Sequence, residues 1–98
     1  TTDLNISSDV VLTAAGKGLE IKEGANARMG VATLAAGTIV VANTSVTANT
    51  RVFISRSTTG GTEGTLSTTQ IASTSFTVNS TSGTDTSTVN WLLIEPSP

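Results

Sequence analysis

Apolar and polar residues alternate along most of this chain with a period of two, which places successive side chains on opposite faces of an extended strand. Clusters of glycine, asparagine and serine separate the alternating segments. Such short, evenly spaced strands predict an all-β fold, either an antiparallel β-sandwich or a jelly-roll-like barrel. Strands are predicted over residues 10–13, 19–22, 28–34, 38–42, 51–56, 65–71, 75–79 and 85–95.

The last of these strands contains the single tryptophan and the densest apolar run. Its residues Val89, Trp91 and Leu93 share one face, and Leu92 and Ile94 share the other. A strand that is apolar on both faces must be covered on both, by the middle of a sandwich or by a neighbouring copy. The apolar neighbours of Trp91 favour burial over an exposed ring that stacks on a sugar. The predicted core or oligomer-interface anchors are Trp91, Leu93, Phe53 and Met29.

The two strands at residues 28–34 and 38–42 are separated by Ala35-Ala36-Gly37 and are predicted to form a hairpin. Residues 1–15 are more polar, and we interpret them as an N-terminal arm or attachment segment, with a frayed end as the alternative. Residues 16–98 are predicted to form a single β domain.

The longest predicted loop spans residues 57–64 and is rich in glycine and threonine. Because loops often carry binding residues, this one is a candidate contact loop. It lacks the aromatic or paired acidic residues that would favour sugar binding. The candidate contact residues are Thr59, Gly60, Gly61, Thr62 and Glu63.

Composition restricts the possible partners. The net charge is −2 and the chain has five Lys and Arg residues in total, which argues against a nucleic-acid partner. No apolar run approaches the roughly 20 residues of a membrane-spanning helix. Arg28, Arg51 and Arg56 are predicted to face solvent, with ion pairs to Glu20, Glu23 or Asp85 across a subunit boundary as the alternative.

The residues needed for most enzymatic chemistry are missing. The chain has no histidine, cysteine or tyrosine, and its carboxylates are scattered, so we expect neither catalysis nor a cofactor. Asp85 and Glu63 carry oxygen atoms suited to calcium, but they do not lie at the spacing of a calcium loop. No metal site is therefore predicted.

Three blocks of the sequence resemble a module of tailed-phage virion proteins. The blocks are residues 16–34, 45–55 and 83–95, and residues 1–15 fit the module less well. This module occurs at the C-terminal ends of tail fibres and other appendages, and as a small free-standing structural protein. Because similar modules are usually trimeric knobs, the resemblance implies a homotrimer.

The sequence therefore predicts a structural protein of a bacteriophage virion, either a fibre tip or appendage or a capsid decoration. Its expected partners are other copies of itself and other virion proteins of the capsid or tail. The alternative is a receptor-binding module that grips a host surface glycan through its polar loops.

Overall fold

The computed structural model describes residues 2–98 and is all-β, as predicted. Within this range no helix is long and apolar enough to cross a membrane. The strands form two three-stranded sheets in which every pair is antiparallel. The strands are β1 (Met29–Thr33), β2 (Thr38–Ala42), β3 (Arg51–Thr58), β4 (Leu66–Ile71), β5 (Ser75–Ser80) and β6 (Thr88–Ile94).

The two strands with the most buried residues, β5 and β6, lie at the centres of the two sheets. One sheet has the order β1-β6-β3 and is called the β6 sheet, and the other has the order β2-β5-β4 and is called the β5 sheet. Their apolar inner faces pack on each other, as in a β-sandwich. A central strand has a neighbouring strand on each side and the opposite sheet over its inner face, which is why β5 and β6 are the most buried.

The core lies between β5 and β6. Phe76 and Trp91 pack edge to face across it, with ring centroids 5.0 Å apart and an interplanar angle of 66°. Trp91 Nε1 is buried without a hydrogen-bond partner among the described residues, so this side chain contributes through packing. The other buried apolar residues are Leu34, Val46, Val78, Val89 and Leu93.

The predicted hairpin between residues 28–34 and 38–42 is wrong, although its turn forms. Ala36 and Gly37 adopt positive φ angles of 51° and 83°, and Ala35 and Thr38 exchange hydrogen bonds of 2.9 and 3.2 Å. Beyond this turn, β1 pairs with β6 and β2 pairs with β5. The turn is therefore a corner of the sandwich, because pairing with the central strands buries more apolar surface than pairing β1 with β2.

The predicted strands at residues 10–13 and 19–22 are also wrong. Residues 2–26, called the arm below, contain turns at 14–16 and 24–26 but no strand, and every one of them is exposed. A strand needs a neighbouring backbone to satisfy its N–H and C=O groups, and neither sheet offers one to the arm. The sequence was interpreted as an arm that ends at residue 15, but the exposed segment continues to residue 26. The first strand begins at Met29.

Gly30 provides a test of the packing between β1 and β6. It lies opposite Trp91, and a Cβ at this position would be 2.5 Å from Trp91 Cζ2 and 2.8 Å from Cε2. Because the indole is buried and cannot retreat, Gly30→Ala should lower the free energy of unfolding by about 1–3 kcal/mol in urea denaturation. Gly18→Ala is the matched control, since nothing lies within 4 Å of its Cβ position. Equal stability of Gly30→Ala and wild type would contradict this packing.

Candidate assembly surface

The outer face of the β6 sheet carries a contiguous set of apolar side chains. Phe53 and Met29 both lie opposite Leu92, so these three residues form a row across the sheet. Phe53 is 54% exposed. We call this surface the apolar face, and its residues are Met29, Val31, Phe53, Leu92 and Ile94. A groove of about 440 Å³ runs over it, with Ser55, Asn90 and Glu23 of the arm also at its walls.

The outer face of the β5 sheet has a different character. Its central strand presents Ser75, Thr77 and Asn79, and Thr38 Oγ1 donates a 3.1 Å hydrogen bond to Asn79 Oδ1. Val40 and Ile71 are exposed there, but β5 and its polar side chains separate them. Single exposed apolar residues are normal on a protein surface, whereas a contiguous patch marks an interaction site. Only the apolar face forms such a patch among the strands described.

The predicted anchor residues fall on both sides of the β6 sheet. Trp91 and Leu93 point into the core, where they are 6% and 3% exposed. Phe53 and Met29 point outward and belong to the apolar face. Val31, a further member of this face, was not among the predicted anchors, because the register that places it beside β6 is not visible in one strand alone.

The carboxylate of Asp85, just before β6, is fully buried in a cluster of donors. Its Oδ1 accepts hydrogen bonds from the Ser87 hydroxyl at 2.6 Å and the Ser87 amide at 3.0 Å. Its Oδ2 accepts from the Ser80 hydroxyl at 2.7 Å and the Gly64 amide at 3.1 Å. Arg56 completes the set with an ion pair of 3.0 Å. The hydrogen bond from the Ser87 hydroxyl, with those from Ser80 and Arg56, holds the pKa of Asp85 well below its usual range despite burial.

This cluster fixes the predicted contact loop. Gly60 N donates to Ser87 Oγ at 3.1 Å, and Thr86 N donates to Gly60 O at 3.0 Å. Gly61 adopts a φ of 62°, and a Cβ there would lie 2.0 Å from the carbonyl oxygen of Thr84. The loop is therefore tied to the segment that leads into β6. Among the candidate contact residues, Thr59, Thr62 and Glu63 have exposed side chains, and Thr59 Oγ1 donates to Glu63 Oε1 at 2.5 Å.

A second carboxylate cluster lies at the other end of β6. Glu95 accepts hydrogen bonds from Thr47 Oγ1 at 2.5 Å and from Thr50 Oγ1, and it pairs with Arg28 at 2.8 Å. Arg28 also donates to the carbonyl oxygen of Ser45 at 2.8 Å. The hydroxyls of Thr47 and Thr50, followed by Arg28, lower the pKa of Glu95 from 4.5 to about 2.

These clusters correct the predicted placement of the arginines. Arg28 and Arg56 were expected to face solvent or to pair across a subunit boundary, but both pair with carboxylates of their own chain. The sequence did not indicate Glu95 as a partner, because it is 67 residues away from Arg28. Arg51 is exposed and donates to the carbonyl oxygen of Asn49 at 2.6 Å. Among residues 2–98, no three acidic, histidine or cysteine side chains converge to hold a metal ion.

Comparison with known proteins gives one family. The family model described as "K1 capsule-specific polysaccharide lyase, C-terminal domain" matches residues 26–94. No curated protein and no solved structure matches the chain. The matched range contains all six strands of the sandwich and both carboxylate clusters apart from Glu95. Residues 2–25 of the arm precede it.

The Asp85 cluster predicts a large effect from a small substitution. Asp85→Asn removes the counter-charge of the largely buried Arg56 and places an amide NH₂ against hydrogen-bond donors, so the thermal midpoint should fall. Amide hydrogen exchange of Gly64 and Ser87 should also accelerate. Glu63→Gln is the matched control, because Glu63 is 56% exposed and lies 3.9 Å from Arg56. An Asp85→Asn midpoint no lower than that of Glu63→Gln would refute the anchoring role.

The Glu95 cluster predicts a specific acid sensitivity. Because folding lowers the pKa of Glu95 from 4.5 to about 2, its contribution to stability is complete above pH 4.5 and is lost as the pH falls through 2. The urea midpoint of Glu95→Gln should therefore depend less steeply on pH between 4.5 and 2 than that of wild type. Glu20→Gln, in the exposed arm, controls for the loss of one charge. Parallel curves for Glu95→Gln and wild type would exclude this contribution.

Proposed function

The chain belongs to the family of the K1 capsule-specific polysaccharide lyase C-terminal domain, and from this premise we propose that it is a structural β-domain of a phage tail appendage. In this proposal it assembles as a homotrimer and contacts other virion proteins. The family membership supports a virion-associated, tail-spike-related domain. The apolar face is the observation that carries the assembly, because a monomer would leave it in water.

We further propose that the domain itself is not catalytic. The lyase activity in the family name is that of the K1 capsule-specific protein, and the name concerns its C-terminal domain. The present chain has no histidine, cysteine or tyrosine. Asp85 and Glu95 are held as anions by hydroxyl and guanidinium donors, which suits a structural ion pair better than a proton-transferring group.

The two outer surfaces fit this role. Burial of Phe53, Val31 and Ile94 against a neighbour would provide the hydrophobic driving force for assembly. The threonine-rich outer face of the β5 sheet would remain in solvent and resist nonspecific association. Closure of the oligomer would also shield the edges of the sheets from pairing with unrelated chains.

Phe53→Asp tests the assembly directly. Phe53 is 54% exposed, so the single subunit should keep its fold, while a charge at the centre of the interface should dissociate the trimer. Loss of a central aromatic anchor should cost roughly 2 kcal/mol or more, which is about 30-fold in the dissociation constant. Light scattering over a range of concentrations measures the effect, and circular dichroism checks the fold.

Val40→Asp is the control for Phe53→Asp. Val40 is 61% exposed on the outer face of the β5 sheet, and its substitution should leave the trimer intact. A wild-type chain that is monomeric at all concentrations, or a Phe53→Asp variant that stays trimeric, would refute this use of the apolar face. If Phe53→Asp stays trimeric but loses binding to capsule oligosaccharide, the groove is instead a glycan site.

A further inference from the structure

The arm leaves large apolar side chains in solvent among its polar residues. It is exposed at every described position, and its residues 2–25 lie before the range matched by the family. Leu4 is 86% exposed and Leu19 is 80% exposed. The large apolar residues that it leaves exposed are Leu4, Ile6, Val10, Val11, Leu12, Leu19 and Ile21. A folded chain gains nothing by holding so many apolar side chains in water unless another surface covers them.

The total accessible surface of the chain indicates how much surface could be buried by neighbouring copies. The accessible surface is 6694 Å², whereas a compact monomer of this mass exposes about 5,200 Å². The radius of gyration is 15.4 Å, against roughly 12.6 Å for a compact domain of this length. The excess of about 1,500 Å² is close to the area that one subunit loses at two standard interfaces of about 800 Å² each.

The arm meets the domain at a position near the apolar face. It leads into β1, an edge strand of the β6 sheet, and its residue Glu23 lines the groove over the apolar face. The hydrogen bonds that attach it to the domain are at its end, from Thr44 N to Asn26 Oδ1 at 2.9 Å and from Asn43 Nδ2 to Ala27 O at 2.6 Å. Between residues 2 and 25 the arm makes only local hydrogen bonds.

The charges of the arm and of the apolar face also favour contact between the two surfaces. Residues 2–16 carry Asp3 and Asp9 and no lysine or arginine. Arg51 is exposed at the margin of the apolar face, where it lies opposite Ile94. An acidic, apolar segment thus complements an apolar surface with a cation at its edge.

We propose that the arm of one copy lies across the apolar face of a neighbouring copy. This inference rests on the homotrimer proposed above and assigns its interface to two unlike surfaces. Such a contact can close around a ring, and a cyclic trimer is the closed form that agrees with the proposed homotrimer. Each subunit then gives its arm to one neighbour and receives the arm of the other, which covers both exposed apolar surfaces at once.

Photo-crosslinking from the apolar face identifies what covers it. Phe53 is replaced by p-benzoyl-phenylalanine, which keeps an aromatic ring and reacts with nearby C–H groups under ultraviolet light. The irradiated 98-residue chain should give covalent chain dimers on a denaturing gel. Their crosslinked peptides after trypsin should include those that end at Lys17 or Lys22, both in the arm. The same replacement at Val40 should give no crosslink to the arm.

Substitutions within the arm provide the second measurement. Val11 is 69% exposed in the single chain, so Val11→Asp removes little apolar burial within the subunit itself. It should nevertheless weaken the oligomer about 10-fold or more in dissociation constant, as expected for loss of a buried valine. Ser8→Asp, with the same added charge on an exposed polar position, should leave the dissociation constant unchanged.

The outcomes separate this inference from the proposed function. A wild-type chain that is monomeric at all concentrations overturns both. A trimer that Phe53→Asp dissociates, but that tolerates Val11→Asp and crosslinks Phe53 only to residues 27–98 of another copy, overturns the arm assignment alone. Crosslinks within one chain, which migrate as monomer, also overturn it, because the arm would then cover its own domain.

Discussion

Strand β6 is apolar on both faces, and the rest of the structure depends on how each face is covered. Val89, Trp91 and Leu93 point inward and form one half of the core. Leu92 and Ile94 point outward and lie among exposed apolar neighbours from β1 and β3. The β5 sheet covers the inner face, and no described part of the same chain covers the outer one. The sandwich therefore has a covered core, but it leaves the apolar outer face of the β6 sheet exposed to solvent.

The same strand is held at both ends by ion pairs of similar design. Asp85 precedes β6 and pairs with Arg56 of β3, while Glu95 follows it and pairs with Arg28 at the start of β1. In each cluster hydroxyl groups supply the larger part of the stabilisation of the anion, and an arginine joins them. The edge strands of the β6 sheet are thus fastened to its centre. This arrangement helps to keep the residues of the apolar face in register.

The proposed occupant of the apolar face is the arm of a neighbouring copy. The arm, a segment of 25 described residues, exposes leucine, isoleucine and valine side chains to solvent, as the apolar face exposes its own. If neighbouring copies exchanged arms, both sets of apolar side chains would be buried, and in a ring of three this would hold for every copy. Assembly would then complete the folding of the arm, which makes the stability of the domain depend on protein concentration.

Much of the fold follows from local sequence patterns. The period of two predicted the all-β class, and the structure confirms it. It also divided the residues of β6 between two faces, because side-chain alternation is a property of any extended strand. The same pattern predicted strands within the arm. These are absent because a pattern cannot supply the neighbouring backbone that a strand requires.

Between Met29 and Ile94, local alternation thus predicted the segments that form strands and the residues that share a face, and composition excluded chemistry based on histidine or cysteine. The tertiary structure was needed to show that the turn at 35–37 is a corner rather than a hairpin, and that Arg28 pairs with Glu95. It also joined Met29, Phe53 and Leu92 into one face. Each of these depends on which strands pair across long separations, and that choice is made by the burial of the whole core rather than by any local run of residues.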